Sequence, residues 1–392
     1  MIAVALFWTA TGIALYCYVG YPLLLWLMRM FAPPPPKTSE AELPELTLVV
    51  PAYNEAPCVE RKMRNTLELS YPAQRIHLMW VIDGSTDATA TLLARYPQVE
   101  VLYQPERRGK TAALNRAMVC VRTPIAVLSD ANTDLSTDAL RHLVQPFAYP
   151  DVGCVAGEKR IAQGAAPDAA GRGEGLYWRY ESALKQLESD TGSTLSAAGE
   201  LLAMRTSLYC PMPESTILDD FELSMRIAQD GHRVLYCPQA LASEGGSADI
   251  GEEWKRKVRI AAGGYQQLQR QWRLLLNPLG HPMLWFKLFS HKLLRWAVVP
   301  WCLLLAPGAL AVAVVQGAGA FYSMALLLLI MAYAVALLGH VLRRKQLKPS
   351  AIYLPYYALM ANMAQLAGLV RWCTRGQDVR WEKVERTSAE PL

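Results

Sequence analysis

Apolar residues are concentrated at the two ends of this 392-residue chain, and that distribution limits what the chain can fold into. The first 30 positions and the region after about residue 280 are strongly apolar, whereas the middle resembles a soluble domain. Overall, 52% of the residues are hydrophobic and 19% are charged, which favours a membrane protein. The net charge of +5 is mild, and basic residues flank the apolar segments, so nucleic acid is not an expected partner.

The opening apolar run, residues 2–30, is predicted to cross a membrane. It is too long for the core of a signal peptide and lacks a basic start. We therefore expect a transmembrane anchor over residues 1–31 and a proline-rich linker over residues 32–45. The eight cysteines form no C-x-x-C pair, which indicates reduced and mostly packed thiols.

The middle of the chain alternates short β-rich runs with helical stretches. A buried strand is predicted at residues 46–50 and further strands at 79–82, 99–103 and 125–128, with helices between them. This alternation is typical of an α/β fold with a mostly parallel sheet covered on both faces. Ligands of such sheets bind beyond the carboxyl ends of the strands, which is where the polar motifs of this chain lie.

Two of these motifs follow the first two strands. The loop V-P-A-Y-N-E, residues 50–55, can hold a flat ring, although Asn54 is equally suited to cap the next helix. In D-G-S-T-D, residues 83–87, a turn at Gly84 directs Asp83 into the crevice. Ser85, Thr86 or Asp87 can alternatively cap the helix that follows.

Two further motifs concentrate acidic residues. In S-D-A-N-T-D, residues 129–134, the oxygens of Asp130 and Asn132 suit Mg²⁺ or Mn²⁺, although Asn132 or Asp134 can instead cap a helix. Such a metal would neutralise charge on a diphosphate leaving group. D-D-F-E-L, residues 219–223, places two adjacent carboxylates where a helix dipole favours them. The alternative is that the pair provides a general base, because two neighbouring carboxylates can raise the pKa of one of them.

In their order and spacing, the four motifs resemble those of the membrane-integrated family 2 glycosyltransferases. These include cellulose, hyaluronan, chitin-oligosaccharide and poly-N-acetylglucosamine synthases. The resemblance covers about residues 45–275 and implies a Rossmann-like GT-A fold, a UDP-sugar donor and inversion at the anomeric carbon. It implies catalysis by Asp220 with Asp219, metal binding by Asp130 and Asn132, acceptor contacts by Gly199 and Glu200, and donor binding by Pro51, Ala52, Tyr53, Asn54, Glu55, Asp83, Lys110, Asp130, Ala131 and Arg259.

The chain departs from the family pattern at two places. Asn132 replaces the second carboxylate of the usual D-x-D motif, which lowers the expected affinity for a metal. The Q-x-x-R-W motif of polymer-making members is replaced by R-K-V-R-I at residues 256–260. Arg259 preserves an arginine that can pair with a diphosphate, but the aromatic platform for the acceptor is absent.

After the domain over residues 46–275, the chain is expected to return to the membrane. A basic amphipathic helix is predicted over residues 254–272, interrupted by Gly263 and Gly264, and an interfacial helix over residues 276–295. Two to three spans are expected within residues 296–371, followed by a basic tail over residues 372–392. The third, residues 351–370, contains Pro355, Asn362 and Gln365, which leaves a re-entrant or interfacial position open.

The chain is thus expected to be an inverting hexosyltransferase that extends an exopolysaccharide-type acceptor, multi-pass in the cell (inner) membrane with a cytoplasmic catalytic domain. Asp220 would deprotonate the acceptor while the metal and Arg259 stabilise the departing UDP. Four or fewer spans offer little material for a polymer channel, so addition of one sugar to a membrane lipid or polyprenyl phosphate is the alternative. A non-catalytic scaffold or sensor is less favoured. Expected partners are the UDP-sugar, a saccharide or lipid acceptor and the lipid bilayer, with homo-oligomers or export partners as further candidates.

Overall fold

The computed structural model describes residues 1–32, 42–162, 169–245, 250–344, 350–374, 378 and 380. Most of the predicted linker and basic tail lie outside these ranges. The chain divides into two compact units. We call them the helical unit (Met1–Met30, Ala165–Tyr177, Ser247–Gln377) and the sheet unit (Phe31–Gly164, Trp178–Gly246, Asp378–Leu392).

The sheet unit contains a mixed eight-stranded sheet in the spatial order third, second, first, fourth, seventh, sixth, eighth, fifth. The first four strands are parallel to their neighbours, as predicted. The seventh runs antiparallel to both the fourth and the sixth, and the fifth runs antiparallel to the eighth. The strands are β1 Leu46–Ala52, β2 Ile76–Asp83, β3 Val99–Gln104, β4 Ile125–Ser129, β5 Asp134–Leu135, β6 Val152–Ala162, β7 Leu201–Arg205 and β8 Arg233–Gly245.

The central strands are buried because both faces of the sheet are covered. All seven residues of β1 are buried, as expected for a strand with helices on both faces. Leu48 and Val50 pack into one apolar cluster, whereas the intervening Val49 packs into the cluster on the opposite face. This alternation follows from the two-residue period of a strand.

The helices follow the predicted pattern between the strands and become long and apolar in the helical unit. They are α1 Ile2–Leu15, α2 Tyr21–Arg29, α3 Ala56–Leu67, α4 Thr89–Leu93, α5 Lys110–Cys120, α6 Ala139–Val144, α7 Ala169–Asp190, α8 Asp219–Gln229, α9 Ile250–Arg270, α10 Trp272–Leu276, α11 Pro282–Lys287, α12 Val299–Val315, α13 Ala320–Arg344 and α14 Ser350–Thr374. Helical turns of π type, Tyr16–Gly20 and Leu288–Val298, join α1 to α2 and α11 to α12.

In the part of the chain that the structure describes, three helical stretches are long and apolar enough to cross a membrane: Ile2–Arg29, Pro282–Val315 and Ala320–Leu342. The second contains 34 residues, about 51 Å at the rise of an α-helix, and therefore exceeds the ~30 Å hydrocarbon core. The structure thus differs from the predicted separate interfacial helix over residues 276–295, because the chain is continuously helical from Pro282. Lys287 and Lys292, expected at the membrane surface, are 1% and 6% exposed.

Helix α9 also differs from its prediction. The Gly263–Gly264 pair does not interrupt it. A Cβ added to Gly264 would lie 2.8 Å from the ring of Trp296, so the glycine allows close packing and is not a break. A Cβ on Gly368 of α14 would lie 2.4 Å from Ala261 of α9. This packing is consistent with the assignment of α9 to the helical unit, and α14 is not among the three membrane-length helices found in the described residues.

Each of the eight cysteines is a free thiol. Burial, which raises the pKa of Cys154 to about 12, makes that thiol unreactive at neutral pH. Buried cysteines are Cys17, Cys154, Cys237 and Cys302, and exposed ones are Cys210 and Cys373.

Candidate active site

The polar motifs meet at the carboxyl edge of the parallel strands. β1 lies between β2 and β4 and is parallel to both. Asp83 is the last residue of β2, Ser129 is the last residue of β4, and Tyr53 follows β1. Because the carboxyl ends of adjacent parallel strands share one edge, the three motifs that follow them form one crevice.

Asn54 connects the first motif to the second through hydrogen bonds. Its φ of 53° is in the left-handed region, which asparagine tolerates better than most residues. Its backbone N–H donates to Ser85 Oγ at 2.9 Å, and its Oδ1 accepts the Thr86 N–H at 2.8 Å. The alternative prediction that Asn54 caps α3 is therefore wrong: the residue before α3 is Glu55, and its side chain makes no capping bond.

Asp87 supports the starts of two helices at once. Its Oδ2 accepts the Ala56 N–H at 3.0 Å, and its Oδ1 accepts the Thr89 N–H at 3.0 Å. Ala56 is the first residue of α3 and Thr89 is the first of α4. Asp87 thus has a structural role that joins the loop after β1, predicted to bind the donor, to the second motif.

The residues predicted to bind the donor nucleoside differ in accessibility. Pro51 and Ala52 belong to β1 and are buried, so their side chains shape the crevice from beneath. Tyr53 is partly exposed, and the Arg107 guanidinium carbon lies 3.7 Å from its ring centroid. Glu55 is also partly exposed, and its backbone N–H donates to Thr89 Oγ1 at 2.9 Å.

Asp83 is fully buried and fixes the loop that precedes α5. Its carboxylate accepts the Arg108 N–H at 3.1 and 3.2 Å and the Gly109 N–H at 2.7 Å. Gly84, with φ of 68°, permits this approach, because a Cβ there would lie 2.6 Å from the Arg107 backbone nitrogen. In this structure Asp83 therefore supports the loop that carries Lys110.

Lys110 connects the acidic motifs. It is the first residue of α5, and its Nζ donates to Asp130 Oδ1 at 2.7 Å. The same nitrogen lies 3.6 Å from Asp219 Oδ2 and 3.4 Å from the Gly199 carbonyl oxygen. Burial opposes its charge, but the carboxylates of Asp130 and Asp219 raise the pKa of Lys110 above its ordinary value. The ammonium therefore stays charged among three motifs.

Asp220 has the properties of a general base. It lies in the first turn of α8, and burial together with the Asp219 charge raises the pKa of Asp220 to about 6, against the opposing effect of Lys110. A Cβ added to Gly199 would lie 3.7 Å from its carboxyl carbon, so the predicted acceptor loop passes directly beside it. Ser224 Oγ accepts the Ala197 N–H at 2.9 Å and donates to the Asp220 carbonyl at 2.7 Å.

Lys159 is a site residue that the sequence analysis missed. It lies on β6, is 2% exposed, and pairs with both Glu200 and Glu244. Its Nζ is also 4.9 Å from the ring centroid of Trp178. Glu200 in turn contributes to the raised pKa of Asp220. No motif indicated this lysine, because its partners come from distant segments brought together by β7 and β8.

The residues predicted to bind a metal, Asp130 and Asn132, suit a divalent cation whose remaining coordination positions are filled by substrate oxygens. Within the described residues, no group of three or more His, Cys, Asp or Glu side chains is arranged to hold a metal. Mg²⁺ at phosphate sites typically takes one or two carboxylates, with substrate oxygens and water filling the remaining positions. Asp130 and Asn132 provide oxygens of that kind, and the Lys110 ammonium is hydrogen-bonded to Asp130 Oδ1 at 2.7 Å.

Two further residues predicted to bind the donor are Ala131 and Arg259. Ala131 is 4% exposed, so a ligand would meet its backbone in preference to its side chain. Arg259 lies on α9 in the helical unit, and its role with the diphosphate stays a prediction.

The fold and the site define a GT-A glycosyltransferase domain, and a family model agrees. The model described as "Glycosyltransferase like family 2" matches residues 44–263, which is more than half of the chain. The chain belongs to this family. The predicted resemblance, the GT-A fold and the class of enzyme are confirmed.

The chain is also similar to two curated proteins. One is a beta-monoglucosyldiacylglycerol synthase from Synechocystis sp., 29% identical over 279 residues that cover 67% of this chain and 57% of that protein. The other is a poly-beta-1,6-N-acetyl-D-glucosamine synthase from Staphylococcus aureus, 27% identical over 244 residues that cover 60% of this chain and 58% of that protein. The chain thus matches less than three fifths of the length of either.

A solved structure matches nearly the whole chain. It is the mannosyltransferase PcManGT from Pyrobaculum calidifontis in complex with GDP-Man and Mn²⁺. The TM-score is 0.72 at 25% sequence identity, and the match covers 95% of this chain and 100% of that one.

Proposed function

We propose that the protein is an inverting glycosyltransferase that moves a hexose from a nucleoside-diphosphate sugar to a hydroxyl acceptor at a membrane. The observation that carries this proposal is the Asp220 carboxylate, whose pKa is raised to about 6 beside the acceptor loop. A general base with a pKa near the working pH is both ionised and basic enough to remove a proton. Family membership and the acidic motifs at the sheet edge support the same conclusion.

The reaction is a single displacement. Asp220 takes the proton of the acceptor hydroxyl, whose oxygen forms a bond to the anomeric carbon. The bond from that carbon to the diphosphate oxygen breaks, and the nucleoside diphosphate departs with the bonding electrons. One displacement inverts the anomeric centre, so an α-linked donor yields a β-linked product. The word "beta" in the names of both curated relatives is consistent with this outcome.

A divalent cation, Mg²⁺ or Mn²⁺, is proposed at Asp130 and Asn132. When bound, it would offset the charge that develops on the departing diphosphate. Lys110, whose Nζ is 2.7 Å from Asp130 Oδ1, holds that carboxylate and provides a second positive charge in the crevice. The structural relative that contains Mn²⁺ and GDP-Man supports a metal-dependent reaction.

The donor and acceptor classes require a direct test. The motifs resemble those of enzymes that use UDP-sugars, whereas the structural relative contains GDP-Man. A growing polysaccharide is the first candidate acceptor, supported by the poly-N-acetylglucosamine synthase relative. A membrane lipid is the second, supported by the glucosyldiacylglycerol synthase relative and by the number of membrane-length helices within the described residues, three, which is few for a polymer channel.

One experiment decides among these candidates. The purified full chain is incubated with UDP- and GDP-hexoses, Mn²⁺ and a membrane lipid extract, and the products are analysed by mass. A ladder of sugars indicates a polysaccharide acceptor, and one sugar per lipid indicates the lipid acceptor. Release of no nucleoside diphosphate with any donor would contradict the proposal.

The protein is further proposed to be multi-pass in the cell (inner) membrane with its catalytic domain in the cytoplasm, where nucleotide sugars are made. The three membrane-length helices support membrane insertion. Homo-oligomers and export partners stay predictions.

A further inference from the structure

Helix α3 begins directly after the donor-binding loop and presents three polar side chains toward the metal loop. Arg61, Lys62 and Asn65 are spaced at i, i+1 and i+4, which places them on neighbouring parts of one helix surface. We call these three residues the α3 clamp. The metal loop, Ser129 to Leu135, carries Asp130 and Asn132.

Lys62 forms hydrogen bonds to the metal loop on both sides of the proposed ligands. It is 0% exposed, and its Nζ donates to Ser129 Oγ at 2.8 Å and to the Thr133 carbonyl at 2.7 Å. Ser129 precedes Asp130, and Thr133 follows Asn132. One buried nitrogen therefore fixes the length and curvature of the segment between them.

The other two clamp residues hold the backbone on the far side. Arg61 Nη2 donates to the Asn132 carbonyl at 2.9 Å, and its Nε lies 3.5 Å from Asp134 Oδ1. Asn65 donates its amide hydrogen to the Leu135 carbonyl at 2.8 Å and accepts the Leu135 N–H at 2.8 Å. The backbone at residues 132, 133 and 135 is thus held by side chains of a single helix.

A purely structural loop would not need this arrangement. Buried backbone groups require partners, but water or a neutral side chain provides them at lower cost than a fully buried lysine. The clamp lysine also faces an acidic environment, since Asp134 is 3% exposed and Asp130 is nearby. Burial lowers the pKa of Lys62 to about 7, against the raising effect of these carboxylates. Either as an ammonium or as a neutral amine, its nitrogen has the two N–H groups that the bonds to Ser129 and Thr133 require.

We propose that Arg61, Lys62 and Asn65 are positioning residues that hold Asp130 and Asn132 in the arrangement that binds a divalent cation. The inference rests on the proposed function. It also gives α3 a linking role, because one rigid helix joins the donor-binding loop at its start to the metal loop along its side. Residues that orient metal ligands change metal affinity by about 10–100-fold when they are replaced.

The test measures Mn²⁺ binding by the full-length protein, from the electron paramagnetic resonance signal of free Mn²⁺, in the presence of UDP and, separately, of GDP. Lys62→Met is the most direct variant, but it removes the partner of two buried groups and can unfold the protein. Two further variants, Arg61→Ala and Asn65→Leu, test the inference if Lys62→Met does not fold. The side chain of Arg61 is 32% exposed, so its removal disturbs the fold less. Arg64→Ala, an exposed arginine on the same helix, is the matched control.

We expect Arg61→Ala and Asn65→Leu to raise the Mn²⁺ dissociation constant about tenfold, while Arg64→Ala leaves it unchanged. The Mn²⁺ concentration for half-maximal transfer should rise in parallel, with turnover recovered at high Mn²⁺. A merely structural role would lower the melting temperature and reduce turnover at every Mn²⁺ concentration, without changing Mn²⁺ affinity. That result would overturn the inference.

The two proposals fail separately in this experiment. If the wild-type protein transfers sugar but shows no Mn²⁺ binding in the presence of UDP or of GDP, the clamp inference is overturned and the glycosyltransferase assignment remains. If clamp variants lose Mn²⁺ affinity but the wild-type protein transfers no sugar from any donor, the proposed function fails and the clamp remains.

Discussion

At the scale of single residues, the site is organised by charged side chains whose partners come from several motifs. The sequence predicted Asp130, Asp219 and Asp220, because each lies in a short motif at a strand end or helix start. It did not predict Lys159, since that lysine lies within a strand and both of its carboxylate partners come from later segments. It placed Asp83 at the nucleoside, which stays a prediction, and it did not predict the bonds that the Asp83 carboxylate accepts from the backbone N–H groups of Arg108 and Gly109.

The ionisation of Asp220 gives a pH dependence. A general base acts when ionised, so transfer should fall about tenfold per pH unit below the pKa of about 6 and level off above it. Asp219→Asn removes a negative charge that raises this pKa, so the acidic limb should move to lower pH. Initial rates of transfer across pH 4–8, about two units on either side of the pKa, would check this. An acidic limb unchanged or moved to higher pH in Asp219→Asn would contradict it.

Gly84 gives a prediction about stability. Gly84→Ala should destabilise the protein, because its φ is 68° and the new Cβ would lie 2.6 Å from the Arg107 nitrogen. Gly192→Ala is the matched control, with φ of 123° but nothing within 4 Å of the new Cβ. Backbone strain alone costs about 1–3 kcal/mol, so Gly192→Ala should lower the melting temperature less than Gly84→Ala. Equal losses would show that the collision with Arg107 has no effect.

At the scale of helices and strands, local pattern predicted those elements whose burial is visible in sequence. β1, β2 and β4 are short, apolar and followed by polar motifs, and all three were predicted. β3 was also predicted, although it is an edge strand with several exposed residues. β5 has only two residues, and the pairing of β6 with β8 joins segments far apart in the chain, so neither is set by local sequence. The Gly263–Gly264 pair was interpreted as a helix break, but tertiary packing against Trp296 explains it instead.

That packing makes α9 sensitive to one methyl group. Gly264→Ala should destabilise the protein by about 1–3 kcal/mol, because overpacking outweighs the better helix propensity of alanine. Gly308→Ala on α12, where nothing lies within 4 Å of the new Cβ, is the matched control and should be neutral or stabilising. Thermal unfolding of both variants in detergent measures the difference. A stabilised Gly264→Ala would show that the close approach is not required.

At the scale of the whole molecule, a catalytic sheet unit and a unit rich in membrane-length helices belong to one chain. The uneven distribution of apolar residues predicted this organisation. The distribution of apolar residues did not predict the C-terminal boundary of the sheet unit. Helix α9 is amphipathic, and its assignment to the helical unit depends on its packing with α14. The two-unit organisation predicts that nucleotide chemistry takes place on one side of a membrane.

Exposed cysteines test that orientation. Cys210 of the sheet unit is exposed, and replacing the other exposed cysteine, as in Cys373→Ser, leaves it as the main reactive thiol. A membrane-impermeant maleimide should label it only after spheroplasts are lysed. Labelling in intact spheroplasts would place the catalytic domain outside the cytoplasm and contradict the proposed topology.

The central claim is that Asp220 is the base of an inverting sugar transfer, and the Asp220→Asn variant tests it most directly. Asparagine keeps the shape of the side chain but cannot accept the proton, so transfer should fall at least about 100-fold. The melting-temperature increase caused by Mn²⁺ with the donor nucleotide should be retained. Wild-type transfer rates in Asp220→Asn would contradict the account.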